Sequence, residues 1–185
     1  IGHLDDISQR SLATLREVDV IAAEDTRHTS RLLSHYGIVT RVVALHAHNE
    51  DQAAAGLLRW LQDGKNLALV SDAGTPLVSD PGSRLLSQVR AAGVRIVPLP
   101  GPSAVLAALV CAGFSADRFV FEGFMPRKGG GRTERLRGLS REVRTSVIFE
   151  SPKRIGVTMS ELAQLPGFAT RQCCLCRELT KVHES

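Results

Sequence analysis

Residues 70–82 read VSDAGTPLVSDPG, and this stretch decides how the chain is interpreted. The apolar residues 66–71 (NLALVS) are predicted to form a strand, which runs straight into a dozen residues of turn chemistry. Gly74 and Gly82 permit positive φ angles and a close backbone approach, and two prolines stiffen the loop. Ligands bind beyond the carboxyl ends of strands in open α/β sheets, so this loop is a candidate ligand site.

A second loop of the same kind occupies residues 98–104 (PLPGPSA), after a predicted strand at 94–99. Gly101 turns the chain there, and Ser103 can cap the helix that follows. Two such loops after two strands indicate one ligand platform. Neither loop has a Walker pattern or a G-x-G-x-x-G that opens a helix, which argues against a nucleotide triphosphate or an ordinary dinucleotide.

Helices and strands alternate around these loops. Four helices are predicted, each followed directly by a glycine that can end it in the left-handed conformation, at 26–36, 51–63, 83–92 and 103–112. The other strands are predicted at 18–23 and 41–45, after an opening helix whose start is marked by Asp5 and Asp6. This alternation is typical of βαβ units and a mostly parallel sheet, so the fold class is α/β.

The pattern changes near residues 113–118, which predicts two domains, 1–114 and 115–185. In the second domain, strands are predicted at 119–124, 146–150 and 172–177 and a helix at 153–165. The KGGGR run at 128–132 is expected to be irregular and mobile, and a basic helix follows it. The second sheet is expected to be incomplete, and a start at Ile1 without methionine predicts a fragment or a trimmed chain.

Composition narrows the class of protein. Hydrophobic residues make up 43% of the 185 residues and aromatic ones only 4%, so the core is expected to consist of aliphatic side chains. No apolar run reaches membrane-spanning length and no leader opens the chain, which predicts a soluble cytoplasmic protein. The four cysteines suit neither a disulfide framework nor a zinc knuckle and are predicted to be buried reduced thiols: Cys111, Cys173, Cys174 and Cys176.

The positive charge is concentrated in one segment. Between Arg127 and Arg144 there are seven basic and two acidic residues, a local charge of +5 in a chain of net charge +4. A basic patch on a near-neutral body indicates a polyanionic partner. A solvated loop and helix face would explain the same pattern.

Polar clusters follow three predicted strands. Residues 24–29 (EDTRHT) place two carboxylates, an arginine and a histidine at a strand end, where they read either as a functional site or as a capped helix start. His46 and His48 have the spacing of metal ligands, but no third ligand is evident and no metal is predicted. Residues 150–154 (ESPKR) place a carboxylate beside two cations that can bind a ligand's charged end or a phosphate.

Taken together and in this order, several segments resemble the bacterial 16S ribosomal RNA cytidine 2′-O-methyltransferases of the tetrapyrrole methylase superfamily: IGHLDDIS, AAEDTRHTSRLL, LVSDAGTPLVSDPG, PLPGPSAVLAAL, RFVFEGFMP, FESPKR and RELTK. The resemblance spans nearly the whole chain. It implies two α/β domains, S-adenosylmethionine bound in the cleft between them, and a homodimer. The family usually has Asn at the position of His3, which puts the contact made by that loop in doubt.

The resemblance also implies site residues. The S-adenosylmethionine contacts fall on Asp72, Ala73, Gly74, Thr75, Val78, Ser103, Ala104, Glu150 and Leu179. For catalysis, the prediction favours Glu24 and Asp25 with Arg27 as an orienting or phosphate-holding group, while His28 and Glu150 stay open as general bases. The charge pattern adds Arg127, Lys128, Arg132 and Arg135 as contacts to 16S rRNA or the small ribosomal subunit.

Two other functions remain open from the sequence. A methyltransferase acting on a tetrapyrrole or another small molecule would use the same fold and the same methyl donor. A module that binds RNA without catalysis would keep the fold and the basic segment. The basic segment and the EDTRHT sequence favour an enzyme acting on RNA over the first of these.

Overall fold

The computed structural model describes residues 1–168 and 170–185. Contacts within the chain divide it into two units, Ile1–Ser103 and Ala104–Ser185. None of the helices in the described ranges combines the length and the hydropathy needed to cross a bilayer.

A parallel three-stranded sheet forms the first unit. Its strands are β1 (Val20–Ala23), β2 (Val42–Ala44) and β3 (Leu67–Val70), in the order β2-β1-β3. Ala23 at the end of the central strand aligns with Ala44 and with Val70. The carboxyl ends of all three strands therefore lie at the same edge of the sheet, where the candidate loops begin.

Helices cover both faces of this sheet. They are a short 3₁₀ turn (Leu4–Asp6), α1 (Gln9–Glu17), α2 (Thr26–His35), α3 (Glu50–Gln62) and α4 (Ser83–Ala91). Ile21 and Ala22 are neighbours on β1 and point to opposite faces, so each belongs to a different apolar cluster. Ile21 packs with Leu12 and Leu33, whereas Ala22 packs with residues of α3 and α4. Every residue of β1 is buried, as expected for a strand covered on both sides.

Among its described residues, the second unit contains a parallel pair of strands and three helices. In chain order they are α5 (Ala104–Ala112), β4 (Phe119–Phe124), α6 (Gly130–Arg141), β5 (Thr145–Phe149) and α7 (Ile155–Ala163). The register between the strands shifts between Phe121 and Phe124, where Gly123 has a φ of +64°. The α/β fold class predicted from the alternation of helices and strands is confirmed.

The division between the units falls before α5, whereas the sequence analysis places it after that helix, at residues 114 and 115. Val105 and Leu109 on α5 pack against Val147 of β5, together with partly buried phenylalanines. The helix therefore contributes to the core of the second unit, which a sequence pattern of helix lengths and glycine stops does not reveal.

Two predicted strands are absent from the described residues. Residues 94–99 run without strand pairing, and Ile96 and Val97 are exposed. Residues 172–177 also pair with no sheet; instead Arg177 exchanges backbone hydrogen bonds with Ser185, the N–H of Ser185 lying 3.0 Å from the Arg177 carbonyl. Apolar alternation favours an extended backbone, but a strand also needs a neighbour with which to exchange hydrogen bonds.

Two further sequence expectations were wrong. Cys111, Cys173 and Cys174 are exposed, because the segment that carries two of them joins no sheet and so gains no buried face. The glycine run at 128–132 is not irregular throughout. Gly129, with a φ of +84°, precedes α6, and Gly130 begins the helix, so the run is a helix start.

Candidate active site

The loop that follows β3 has an unusual backbone. Leu77 and Ser79 have φ angles of +74° and +68°, in the left-handed region that residues with a Cβ rarely adopt, and Gly74 and Gly82 are also positive. Non-glycine residues in this region cost free energy and are found preferentially at functional sites. Leu77 and Val78 are also exposed, so the loop presents apolar side chains outward.

Glu50 holds the far end of this loop. Its buried side chain accepts hydrogen bonds from the N–H groups of Gly82, at 3.1 Å, and Arg84, at 2.8 Å. Arg84 in turn pairs with Asp51. A carboxylate from the start of α3 thus caps the N-terminus of α4, where negative charge is favoured. Sequence reasoning missed this role, because Glu50 and Gly82 are far apart in the chain and no local motif marks the contact.

Replacing Gly82 with alanine is expected to destabilise the chain by about 1–3 kcal/mol. A Cβ there would lie 2.7 Å from Leu69 Cδ2, and the φ of +120° is strained for any L side chain. Denaturant unfolding measures the change. The matched control is Gly56→Ala inside α3, where a Cβ meets nothing within 4 Å and helix propensity favours alanine. Equal stability of the two variants would contradict the account of Gly82.

The two candidate loops lie side by side within the first unit. The Thr75 hydroxyl donates to the Pro102 carbonyl at 3.2 Å. A Cβ on Gly74 would lie 3.6 Å from Ile1 Cγ2 and 3.7 Å from the Pro102 carbonyl oxygen, so the backbones approach closely there. The structure therefore brings together the loops that sequence reasoning proposed as one ligand platform, with Ser103 immediately after Pro102.

His3 stands where the resemblance has Asn. Its Nδ1 accepts a hydrogen bond from the Asp5 N–H at 3.3 Å and caps the short 3₁₀ turn. An asparagine side chain can make the same kind of cap. His3 therefore has a capping role at this position that an asparagine could also fill.

Carboxylates from two neighbouring strands meet at the same sheet edge. Asp72, just after β3, accepts a hydrogen bond through Oδ1 from the Asp25 N–H at 2.9 Å, just after β1. Burial raises the pKa of Glu24, and the negative charges of Asp80 and Asp72 raise it further. Burial also raises the pKa of Asp80, against the effect of a hydrogen bond from Ser71.

Asp25 has the opposite environment. It caps α2 by accepting from the Arg27 N–H at 2.8 Å, and the Arg27 guanidinium lies 3.1 Å from its other oxygen. These hydrogen bonds from Arg27, side chain first and backbone second, lower the pKa of Asp25 to about 2. Asp25 therefore stays ionised, and one of its oxygens is occupied in capping α2. This is the capped helix start that the sequence offered as the alternative to a functional site. Of the two adjacent carboxyl groups, Glu24 therefore has a raised pKa and Asp25 a lowered one.

Two histidines of the first unit, His46 and His48, have neighbouring rings. The rings of His46 and His48 are 6.1 Å apart. Within residues 1–168 and 170–185, no group of three or more His, Cys, Asp or Glu side chains is arranged to hold a metal ion. His28 is exposed on the first turn of α2.

Glu150 is buried in a network of the second unit, with a side chain only 2% exposed. It accepts hydrogen bonds from the Thr158 hydroxyl and the Ser151 N–H, both at 2.7 Å, and pairs with Arg154 and Arg132. Burial opposes ionisation of Glu150, but these hydrogen bonds and charges outweigh it and lower its pKa. A carboxylate held in this way is poorly suited to accept a proton.

Arg132 is part of the same network and not of the surface. Its side chain is 8% exposed and donates to Glu161 at 2.9 Å, to Thr158 at 2.8 Å and to the Pro126 carbonyl at 2.9 Å. It also lies 3.7 Å from Glu150. The predicted contact of Arg132 with RNA is therefore corrected: its guanidinium is enclosed and its donors are used inside the unit.

The other three predicted RNA contacts differ in whether their side chains have partners within the chain. Arg127 and Lys128 are exposed, and neither side chain has an ion-pair or hydrogen-bond partner in the described ranges. Arg135 pairs with Glu122, which offsets its charge. The positive potential available to a ligand is thus smaller than the +5 counted along the sequence.

Two other positions carried over from the resemblance, Ala104 and Leu179, lie in the second unit. Ala104 is the first residue of α5. Leu179 lies between Glu178 and Thr180, whose φ angles are +54° and +67°. The RELTK segment therefore has the same kind of backbone as the loop after β3, a feature that a search of composition alone does not reveal.

Comparisons with known proteins agree with this architecture. The family model for Tetrapyrrole (Corrin/Porphyrin) Methylases matches residues 1–185. Over 185 residues the chain is 51% identical to the Ribosomal RNA small subunit methyltransferase I of Escherichia coli O157:H7 and 48% identical to the protein of that name from Pseudomonas aeruginosa. These matches cover 100% of the chain but 64% and 65% of the relatives, so the chain spans just under two thirds of their length.

Solved structures show the same fold at lower identity. The methyltransferase CobJ matches with a TM-score of 0.66 and 21% identity, over 100% of this chain and 80% of that one. The cobalamin biosynthetic enzyme cobalt precorrin-4 methyltransferase, CbiF, matches with a TM-score of 0.64 and 20% identity, over 87% of this chain and 70% of that one. Since the family model covers residues 1–185 and these structures share the fold, the chain belongs to the tetrapyrrole (corrin/porphyrin) methylase family.

Proposed function

We propose that this chain is the greater part of an S-adenosylmethionine-dependent methyltransferase that modifies the ribose 2′-hydroxyl of a cytidine in 16S ribosomal RNA. The observation that carries the proposal is the strained loop after β3, which contains Asp72 and Asp80 and lies beside the loop at residues 98–103 and near Glu24. The relatives named as ribosomal RNA small subunit methyltransferases support the choice of RNA as substrate.

The residues of this loop fit a methyl donor that is cationic and has no phosphate. Ala73 is small and exposed, so a ligand can approach the backbone there, and Val78 offers an apolar surface. The nearby carboxylates of Asp72 and Glu24 favour a positive ligand over a phosphate. S-adenosylmethionine supplies a methyl group activated by a positively charged sulfur.

The chain holds the methyl donor in position and supplies a general base. Asp72, Ala73, Gly74, Thr75, Val78 and Ser103 are proposed to hold the donor in the first unit, and Ala104, Glu150 and Leu179 are carried over from the family for the second. Glu24 accepts the proton that the ribose hydroxyl loses as its oxygen becomes methylated. A raised pKa brings this carboxylate closer to the pKa range that suits a general base. A homodimer acting in the cytoplasm on the small ribosomal subunit belongs to the same proposal.

Methyl transfer to small ribosomal subunits tests this function. The chain is incubated with S-adenosylmethionine carrying a labelled methyl group and with subunits from a strain that lacks the homologous enzyme. Label is expected in 16S RNA, at a linkage resistant to alkali because a 2′-O-methyl group blocks cleavage there.

A porphyrinoid is offered as substrate in parallel, and donor binding is measured by calorimetry. Transfer to the porphyrinoid alone would replace RNA by a tetrapyrrole as the substrate. Donor binding without transfer to either would remove the catalytic part of the proposal, and RNA binding without donor binding would leave a non-catalytic module.

A further inference from the structure

The second unit contains a pocket of about 610 Å³ next to the ends of β4 and β5. Residues 124–127 line one side, and Ser151, Lys153 and Arg154 line the other. The volume lies within the range of about 300–1,000 Å³ that small-molecule sites occupy. All of its lining residues belong to one unit, and none of them is among the residues proposed above to hold the methyl donor.

The pocket carries positive charge that the chain itself does not neutralise. Three lining side chains are cations, and one of them, Arg154, is paired with Glu150 and donates to the Met125 carbonyl at 3.1 Å. The ammonium of Lys153 and the guanidinium of Arg127 have no partner in the described ranges. Two free cations converging on one open pocket favour an anionic ligand.

An aromatic side chain lies beside these cations. Phe124 ends β4 and is 57% exposed, a large exposure for a phenylalanine. Its ring contacts Phe149 edge-on, with centroids 5.4 Å apart, so the ring is held in place while much of its surface stays open. Bases of unpaired nucleotides stack on exposed aromatic rings of this kind.

The wall of the pocket is fixed by two arginines that act on the backbone. Arg132 donates to the Pro126 carbonyl at 2.9 Å, and Arg154 donates to the Met125 carbonyl at 3.1 Å. Both arginines pair with the buried Glu150. The segment that carries Phe124 and Arg127 is thus preorganised, which lowers the free-energy cost of binding.

We infer that this pocket binds one unpaired nucleotide of a single-stranded RNA segment, with Lys153 and Arg127 at its phosphate and Phe124 stacked on its base. The inference rests on the proposed function and adds the place at which the substrate is gripped. A phosphate needs only the two cations; the exposed ring beside them is what favours a nucleotide. Double-stranded RNA keeps its bases stacked and would leave Phe124 unused.

Anisotropy titrations with a fluorescent oligocytidylate octamer test the inference at several salt concentrations. Phe124→Ala is expected to weaken binding about tenfold and to leave the salt dependence unchanged, because it removes stacking and no charge. Lys153→Ala is expected to make the fall of log affinity with log salt shallower, by about 0.7 in slope. This is the effect of losing one phosphate contact on a single strand. Arg90→Ala, an exposed cation on α4 of the first unit, is the matched control and is expected to change neither.

Three results would overturn the inference: no octamer binding by the unsubstituted chain, equal affinities for the chain and its Phe124→Ala variant, or equal binding of an octamer and of polyglutamate. Thermal unfolding and calorimetric binding of S-adenosylmethionine show that each variant is folded with its donor loop intact. If the variants bind the octamer normally while 16S RNA is still methylated, the pocket is rejected and the proposed function stands. If the octamer result holds without any methyl transfer, the proposed function fails and the pocket stands.

Discussion

Replacing Glu24 with glutamine is expected to slow methyl transfer by about 10²–10⁴-fold, the usual contribution of a general base. Glutamine has nearly the same shape as glutamate but cannot accept the proton of the ribose hydroxyl. Binding of S-adenosylmethionine is expected to weaken much less than the rate, because only one nearby negative charge is lost and the loop residues proposed to hold the donor are untouched. Single-turnover rates on small ribosomal subunits measure the effect apart from product release.

Asp25→Asn is the matched comparison, since it alters the neighbouring carboxylate. Asparagine still caps α2, and the pKa of about 2 makes Asp25 a weak base at neutral pH. Its loss of rate is expected to be smaller than that of Glu24→Gln. A larger loss at Asp25 would transfer the role of base to that residue, and equal small losses would show that positioning alone supplies the rate.

The pH dependence of the rate follows from the raised pKa of Glu24. The base acts when ionised, so the rate is expected to fall as the pH drops through this pKa, which lies above the ordinary glutamate value of 4.5. Glu24→Gln should lose this fall in rate at low pH.

The same raised pKa has the opposite effect on stability. A carboxyl group whose pKa is higher in the folded state stabilises the fold at a pH below its unfolded-state pKa, and this stability is lost as the pH rises through the folded-state pKa. The glutamine variant is therefore expected to be no less stable than the parent at neutral pH.

Local signals in the sequence predicted the parts of the fold that depend on local physics. The helices that end before Gly37 and Gly64 were predicted because both glycines supply the left-handed φ of a helix end, +63° and +81° in the structure. A buried strand was predicted at 18–23 from its apolar residues, and the structure has the buried strand Val20–Ala23 within that range. Residues 94–99 (VRIVPL) are also rich in apolar residues, but they pair with no strand in the described chain, so propensity alone could not decide their conformation.

The candidate site also has features that the sequence predicts and features that depend on contacts between distant residues. Sequence order predicted that both loops follow strands. The strand before the second loop does not form, yet the bond from Thr75 to Pro102 shows the two loops together. The support that Glu50 gives Gly82 and the difference between Glu24 and Asp25 depend on contacts across the fold. Charge counting failed for the same reason. A basic run predicts a polyanion site only while its cations lack acidic partners, and those partners come from other elements.

Replacing Arg132 with methionine is expected to destabilise the chain by about 3 kcal/mol, because it leaves the buried Glu150 with one cation fewer. Arg132 also donates to Thr158, Glu161 and the Pro126 carbonyl, so several buried polar groups lose their partner at once. Arg137→Met is the matched control on α6, where the side chain is exposed and a change within about 0.5 kcal/mol is expected.

A double-variant cycle separates a buried ion pair from a surface cation. Glu150→Gln alone should also be destabilising, and the combined loss with Arg132→Met should be smaller than the sum, with a coupling of about 0.5–3 kcal/mol. Additive losses would show that the two side chains do not interact. Unchanged stability of Arg132→Met together with weaker RNA binding would return Arg132 to the surface role that the charge pattern predicted, since only an accessible guanidinium could bind phosphate without supporting the fold.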